Sequence, residues 1–536
     1  MSNQQKPSRT LAGIAGIVAV ATLISKIFGL VRQQVIAAAF GVGAAADAFT
    51  YAYGIPGFLL ILLGGINGPF HSAIVSVLAK RRQEEAAPIV ETITTLVGGI
   101  LLLVTLALIF FAAPIIDIFA GLNQTAHGSQ VRAIAIQQLQ IMAPMALLAG
   151  LIGIGFGTLN AANQYWLPSV SPLFSSITVI VGLGILALQL GEKLTYPQYA
   201  ILGGQVLAWG TLAGAILQWL VQVPAQWRAG MGTLRLRFDF NQPGVKQVIK
   251  IMGPATFSSG MIQINFYIIL ILASYIPQAA AALSYTTLLV QTPLGIISNV
   301  ILVPMLPIFS RLTDPADWPE LKVRIRQGLL MTALTMLPLG ALIITLAVPI
   351  VRLVYERGAF DHAASQLVAS LLVVNGVGMF VYLGRDVLVR VFYALGDGDT
   401  PFRVSMVSIF LNTLLAYILV KPFGAPGLVM ATVCINIISV LVLLWLLDRK
   451  LNGLPWREWS WPILGLTGGS FVAGVVSWGS FWGCQQIKGG EGLLLQLVQL
   501  SVSGLVGIGV FALITAQMRL PEVEIFGARL RQRFIK

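Results

Sequence analysis

Long apolar stretches separated by short polar clusters dominate this chain. Most of them reach the roughly 20 residues that an α-helix needs to cross the hydrocarbon core of a bilayer. Barrel strands would instead give short alternating segments. The pattern predicts an all-α polytopic membrane protein with about fourteen transmembrane helices. The predicted spans cover residues 11–39, 49–78, 89–111, 133–159, 167–190, 199–223, 248–275, 279–309, 328–351, 363–394, 402–420, 425–447, 459–482 and 492–517.

Composition agrees with this interpretation. Of the 536 residues, 57% are hydrophobic and only 10% are charged, whereas a soluble domain carries roughly a quarter charged residues. The net charge of +13 could indicate nucleic-acid binding, but lysine and arginine also accumulate on the cytoplasmic loops of membrane proteins. We therefore predict a multi-pass membrane protein that binds no nucleic acid.

The distribution of basic residues predicts the orientation. With the N-terminus in the cytoplasm, and with Lys250 and Arg403 at the cytoplasmic ends of spans 7 and 11 counted as inside, 23 of the 33 lysines and arginines are inside, six are outside and four lie within spans. This bias favours an even number of spans with both termini cytoplasmic.

A weak internal repeat predicts the domain organisation. The end of span 3 around Pro114 resembles the end of span 9 around Pro349, and the turn before Pro168 resembles the turn before Pro401. The two matches are six spans apart and share nearly the same offset, so they predict two parallel six-helix lobes plus two C-terminal helices. The predicted divisions are an N-lobe at 1–223, a basic linker at 224–247, a C-lobe at 248–447, and two extra helices with a basic tail at 448–536.

Such a layout is typical of transporters, although duplications also build channels and membrane proteins that transport nothing. Two basic residues within span 1, Lys26 and Arg32, are costly in the bilayer and normally face a protein interior or a wet cavity. The alternative is that long side chains reach the headgroups, which is easier for Arg32 than for the deeper Lys26.

Span 10 contains three further charges. Asp386 and Arg390 are spaced i,i+4 and are expected to pair, which leaves Arg385 without a partner in its own helix. Glu91, near the inner end of span 3, is expected to reach water.

The sequence gives little indication of enzymatic chemistry. The three histidines have no metal-ligand spacing, and no Walker A loop is present. Asp397 and Asp399 could pass for an acidic metal-binding pair, but turn formation explains them without a metal. We predict neither catalysis nor a cofactor.

Several segments resemble the MurJ (MviN) family of lipid II flippases, in the multidrug/oligosaccharidyl-lipid/polysaccharide exporter superfamily. They are SKIFGLVRQ at 25–33, GVGAAADAF at 41–49, GTLNAANQYWLPSVSP at 157–172, VYERGAFD at 354–361 and YALGDGDTP at 393–401. They occur in the order of the family and cover spans 1 to 12. Fourteen spans, in two six-helix lobes and two extra helices, are the family's architecture.

The resemblance implies a substrate, a mechanism and a site. The substrate would be lipid II, the undecaprenyl-diphosphate-linked peptidoglycan precursor, moved to the outer leaflet of the bacterial cytoplasmic (inner) membrane by alternating access. Cavity cations would hold the diphosphate, and spans 13 and 14 would hold the lipid tail. Arg32 and Asp47 match family positions, and Lys26 stands where the family usually has arginine, so all three are predicted substrate-binding residues. Family arginines are missing near Leu60 and Leu288, for which Arg385 or Arg390 could substitute.

The sequence leaves alternatives open. A related exporter could carry another lipid-linked glycan or a drug, and a non-transporting scaffold of wall synthesis would need no buried charge. The expected partners are the lipid-linked substrate, the membrane lipids and proteins of cell-wall synthesis. The coupling ion and the oligomeric state are not predicted.

Overall fold

A computed structural model describes residues 11–65, 68–78, 81, 83–120, 126–232, 234–262, 264–487 and 492–518. These residues form twenty α-helices and three short 3₁₀ turns, and no strand occurs among them. The basic tail after residue 518 lies outside the described residues. The predicted all-α membrane fold is confirmed.

The first half of the chain forms ten helices. They are α1 Leu11–Phe40, α2 Ala44–Gly64, α3 Pro69–Leu78, α4 Gln83–Phe110, α5 Ala112–Ala120, α6 Ala126–Met142, α7 Met145–Ala161, α8 Trp166–Val170, α9 Pro172–Leu190 and α10 Ala200–Arg228.

The second half forms ten more. They are α11 Pro243–Ile262, α12 Ile264–Ala273, α13 Ala279–Ser310, α14 Trp318–Thr345, α15 Ala347–Tyr355, α16 His362–Ala394, α17 Asp399–Phe423, α18 Ala425–Lys450, α19 Trp456–Ile487 and α20 Leu493–Gln517.

Twelve stretches of the described residues are long and apolar enough to cross a membrane, and the bent pair α6 and α7 makes a thirteenth. Pro144 lies between the end of α6 and the start of α7, and it permits the 42° bend between the two helices. Predicted span 7 corresponds to α11 and the short apolar helix α12. The described residues therefore support twelve or thirteen spans, and the predicted count of about fourteen is approximate.

The chain divides into two compact units. Unit 1 contains Met1–Ala281 and Arg357–Phe360, and unit 2 contains Ala282–Glu356 and Asp361–Lys536. Helix α11 packs against α3 within unit 1, whereas the sequence-based division assigns span 7 to the C-lobe. Which residues move together as a lobe during transport stays a prediction.

Glycines allow the helices of unit 1 to pack closely. The sequence contains three motifs with two glycines four residues apart, Gly64/Gly68, Gly153/Gly157 and Gly210/Gly214, which favour close helix contacts. A Cβ at Gly153 of α7 would lie 1.9 Å from the carbonyl oxygen of Leu63. A Cβ at Gly214 of α10 would lie 2.4 Å from the Cα of Ser175 in α9. Backbone therefore meets backbone at both crossings.

The internal repeat is visible in backbone geometry. Helix α4 breaks at Phe111 before α5, and 235 residues later α14 breaks at Leu346 before α15, with the same pair of backbone hydrogen bonds across each break. The turn after α7 recurs after α16 at an offset of 233. There the amide of Gln164 donates to Leu159 over 2.8 Å, and the amide of Asp397 donates to Phe392 over 2.9 Å.

Residues with positive φ follow the same offset. Asn163 has φ of 60° where the second half has Gly396 at 72°, and Gly191 ends α9 at 56° where Gly424 ends α17 at 64°. Such left-handed helix ends favour glycine or asparagine. The common pattern supports the duplication that the sequence predicts.

Candidate functional site

Helix α1 presents the two basic residues of predicted span 1. Lys26 is exposed and Arg32 is partly buried. The Nε atom of Arg32 is fully buried and has no hydrogen-bond partner among the described residues. A buried donor without a partner costs about 1–3 kcal/mol, so an anion beside Arg32 would remove a penalty as well as add an attraction. The two residues are about 120° apart around the helix.

Asp47 is buried near the start of α2, and its carboxylate is fully engaged. Oδ2 accepts hydrogen bonds from the backbone amide of Gln278 at 2.8 Å, and Oδ1 accepts from the amide of Ala281 at 2.8 Å. The Nε2 atom of His127 lies 3.1 Å from Oδ2. Asp47 therefore caps the N-terminus of α13, where free amides and the helix dipole favour a carboxylate.

We expect Asp47→Ala to lower the free energy of unfolding by about 2 kcal/mol, because two helix-capping amides lose their acceptor. The measurement is thermal unfolding of the purified variant in detergent. Glu192→Ala is the matched control, since Glu192 is an exposed carboxylate in the turn after α9. Equal stability of the two variants would contradict a capping role for Asp47.

Arg385 lies in the middle of α16, in unit 2. Its Nη2 atom donates to the hydroxyl of Ser405 in α17 at 2.8 Å. Its Nε atom is buried and has no hydrogen-bond partner among the described residues. Arg385 and Arg32 thus share one property: each holds a desolvated guanidinium donor that the protein does not satisfy.

Arg390 follows one turn later and behaves differently. Its Nη1 atom donates to the backbone carbonyl of Leu302, in the part of α13 that contains Pro304 and Pro307. The expected ion pair with Asp386 is not among the salt bridges of the described residues, because the guanidinium turns toward α13 instead. Arg390 therefore links two helices of unit 2.

The structure brings the predicted residues together in pairs. Lys26 and Arg32 share α1 in unit 1, Arg385 and Arg390 share α16 in unit 2, and Asp47 sits at the α13 cap. Sequence reasoning missed His127, Ser405 and the Leu302 carbonyl as partners. His127 could have been suspected, since it lies in the outside segment before predicted span 4, and Asp47 lies before span 2 on the same predicted side.

The two positions where family arginines are missing hold apolar side chains. Leu60 is partly buried and packs against two hydrophobic clusters of unit 1. Leu288 in α13 is also partly buried. Neither position therefore supplies a cation.

The acidic turn after α16 is structural. Oδ2 of Asp397 accepts from the Lys450 ammonium at 2.6 Å, and Oδ1 accepts from the amide of Thr400 at 3.1 Å. Burial alone would raise the pKa of Asp397, but the bonds from Lys450 and Thr400 lower it below its ordinary value. No group of three metal-ligating side chains occurs within the described ranges.

Comparison with known structures shows the fold. A solved structure of "Lipid II flippase MurJ, inward closed conformation" has a TM-score of 0.74 and 22% identity, covering 94% of this chain and 98% of that one. An inward-facing multidrug resistance MATE family transporter of the MOP superfamily has a TM-score of 0.60 and 16% identity, covering 82% and 98%.

Comparison with known sequences shows the family. A protein of Synechocystis sp. named "Probable lipid II flippase MurJ" is 57% identical over 535 residues, covering 100% of this chain and 99% of that protein. The "Lipid II flippase MurJ" of Burkholderia cenocepacia is 28% identical over 481 residues, covering 88% and 89%. The model of the family "Lipid II flippase MurJ" matches residues 36–494, a range that contains Asp47, Arg385 and Arg390 and begins after Arg32. This chain belongs to the lipid II flippase MurJ family.

Proposed function

We propose that this protein moves lipid II from the inner to the outer leaflet of the bacterial cytoplasmic membrane. Family membership identifies it as a membrane transporter and not an enzyme. The observation that carries the proposal is the pair of buried guanidinium donors, Arg32 Nε and Arg385 Nε, one in each unit. A diphosphate oxygen is an acceptor that would satisfy either donor.

The cations are proposed to bind the diphosphate. A diphosphate brings about two negative charges into a region of low dielectric, where charge-assisted hydrogen bonds are strong. The proposed cations are Lys26 and Arg32 in unit 1, and Arg385 and Arg390 in unit 2. Lys26 offers a flexible point charge, whereas each arginine can form two parallel hydrogen bonds. The missing cations near Leu60 and Leu288 make Arg385 the proposed replacement.

Alternating access needs contacts that form in one state and break in another. We propose that the Asp47 cap is such a contact, because one carboxylate ties the start of α2 to the start of α13 through two backbone amides. The start of α13 is buried in this state. Once the contact opens, water can replace the carboxylate as acceptor, so opening costs only a few kcal/mol. Asp47 would then act on transport without touching the substrate.

The proposed orientation places both termini in the cytoplasm. Single cysteines introduced near Arg81, Arg235 and Arg324 in a cysteine-free background should resist an impermeant thiol reagent added to intact cells, because the basic loops stay inside. A cysteine at Glu192 is the control and should react. Labelling at two of the three basic loops would mean that the true orientation is the opposite of the proposed one.

Complementation tests the proposed function in cells. A bacterium depleted of its own lipid II flippase should keep growing and keep its shape when it expresses this chain. Lysis despite membrane insertion of the chain would indicate a different substrate, such as another lipid-linked glycan. Because the protein spans the membrane, membrane lipids are expected to contact it. Proteins of cell-wall synthesis stay predicted partners.

A further inference from the structure

The connection between α10 and α11 carries an unusual exposed segment, residues 234–240, with the sequence LRLRFDF. It forms neither helix nor strand, and its apolar and charged residues alternate. Its four apolar side chains are all exposed, namely Leu234, Leu236, Phe238 and Phe240. We call these four the apolar face, and Arg235, Arg237 and Asp239 the charged face. We call residues 234–240 the linker segment.

Arg237 of the charged face attaches the linker segment to α4. The amide of Arg237 donates to the Thr95 hydroxyl at 3.0 Å, and Nη1 of Arg237 lies 3.8 Å from the Glu91 carboxylate. Glu91 is buried, so the expectation that its carboxylate reaches water is wrong, because Arg237 covers it. This attachment fixes which face of the segment points away from the protein.

The neighbours of the segment show its course. A Cβ at Gly232 would lie 3.2 Å from the carbonyl oxygen of Ala87, and one at Gly244 would lie 2.4 Å from Cδ1 of Ile89. Between these two points the chain reaches Thr95. The connection therefore runs along α4 from Ala87 toward Thr95, in the direction in which α4 enters the membrane, and then returns.

Thr95 lies near the edge of the hydrocarbon core of the bilayer. Helix α4 ends at Phe110, and about 20 residues at 1.5 Å each are needed to cross the hydrocarbon core. Counting back from Phe110 places the other boundary near Glu91. The charged residues Glu84 and Glu85 are exposed before this level, and exposed large apolar side chains begin at Ile100.

The outward face of the segment is strongly apolar. Leu236 is 78% exposed, Phe238 is 68% exposed and Leu234 is 51% exposed. Phe238 and Phe240 pack edge to face with their ring centroids 6.1 Å apart, which joins them into one surface. A contiguous exposed apolar surface of this kind marks a contact with a membrane or another protein.

We propose that the linker segment is a membrane anchor whose apolar side chains enter the lipid leaflet at the level of Glu91 and Thr95. Lipid is favoured as the occupant because the segment reaches the edge of the hydrocarbon core and its apolar face points away from the protein. The exposed residues Arg228 and Arg235 flank this face, where cations bind anionic headgroups. The anchor holds the connection between α10 and α11 at a fixed depth.

Spin labels can measure this depth in the full-length protein. The chain has only two cysteines, Cys434 and Cys484, and replacing both with serine gives a background for single labels. Labels would be placed at Leu236 and Phe238 on the apolar face, and at Arg235 and Asp239 on the charged face as matched controls. The protein is reconstituted in nanodiscs that contain phosphatidylglycerol, and relaxation by oxygen is compared with relaxation by a water-soluble nickel chelate.

The proposal expects period-two alternation: labels at 236 and 238 relax with oxygen and are protected from the chelate, and labels at 235 and 239 show the reverse. Strong relaxation by the chelate at all four positions would place the segment in water. Protection of 236 and 238 from both reagents would mean that protein covers the face. Either result overturns the membrane anchor, and neither depends on whether the chain moves lipid II.

Discussion

The double variant Lys26→Ala, Arg32→Ala is expected to bind the diphosphate headgroup about a hundredfold more weakly than the wild type, or worse. Each charged hydrogen bond lost costs roughly 1.5–3 kcal/mol, and each 1.4 kcal/mol is tenfold in affinity. The measurement is binding of a soluble headgroup analogue to the purified protein. Lys26→Arg should bind normally, because arginine offers at least as many donors to phosphate.

Misfolding should not explain that loss. Each charge within the span costs roughly 2.5–3.5 kcal/mol on the insertion scale, so its removal favours insertion. Lys421→Ala serves as a control, since it also removes a cation but one that is exposed at the end of α17. There Lys421 lies 5.0 Å from the ring centre of Tyr417. Arg385→Ala should deepen the defect if Arg385 replaces a missing family arginine. Wild-type binding by the double variant would mean that Lys26 and Arg32 only anchor α1.

Gly153→Ala is expected to give the largest loss of stability. The added Cβ would lie 1.9 Å from the Leu63 carbonyl oxygen, and a backbone atom cannot rotate away as a side chain can. Helices α7 and α2 would have to separate, at a cost of about 3 kcal/mol or more. Expression level and thermal unfolding in detergent measure the effect.

Gly184→Ala is the matched control for that substitution. Gly184 lies in α9, and a Cβ there would meet no atom within 4 Å. Alanine has the higher helix propensity, so this variant should be as stable as the wild type or slightly more stable. Normal stability of Gly153→Ala would show that the close crossing of α7 and α2 is not required.

Much of the fold could be predicted from sequence because bilayer thickness sets helix length. The breaks at Phe111 and Leu346 also follow from local sequence, since each precedes an Ala-x-Pro turn. The division of compact units was not predictable in the same way. Helix α11 belongs to unit 1, where it packs against α3, a helix distant in sequence.

The site was predicted only as a set of charged positions. Their partners depend on contacts between helices distant in sequence, such as Asp47 with the amides of Gln278 and Ala281. A spacing rule suggested that Asp386 would pair with Arg390, but the carbonyl of Leu302 competes for that guanidinium. Glu91 was expected to reach water because its partner, Arg237, lies 146 residues further along the chain.

The most direct test of lipid II transport uses the purified chain in liposomes. Lipid II with a labelled pentapeptide is placed in both leaflets, and its accessibility to an external impermeant reagent is followed with time. We predict that the wild-type chain makes the lipid II of the inner leaflet accessible to the reagent. The Lys26→Ala, Arg32→Ala variant should insert equally well but leave that lipid II inaccessible. No exchange by the wild-type chain, or equal exchange by both proteins, would contradict the prediction.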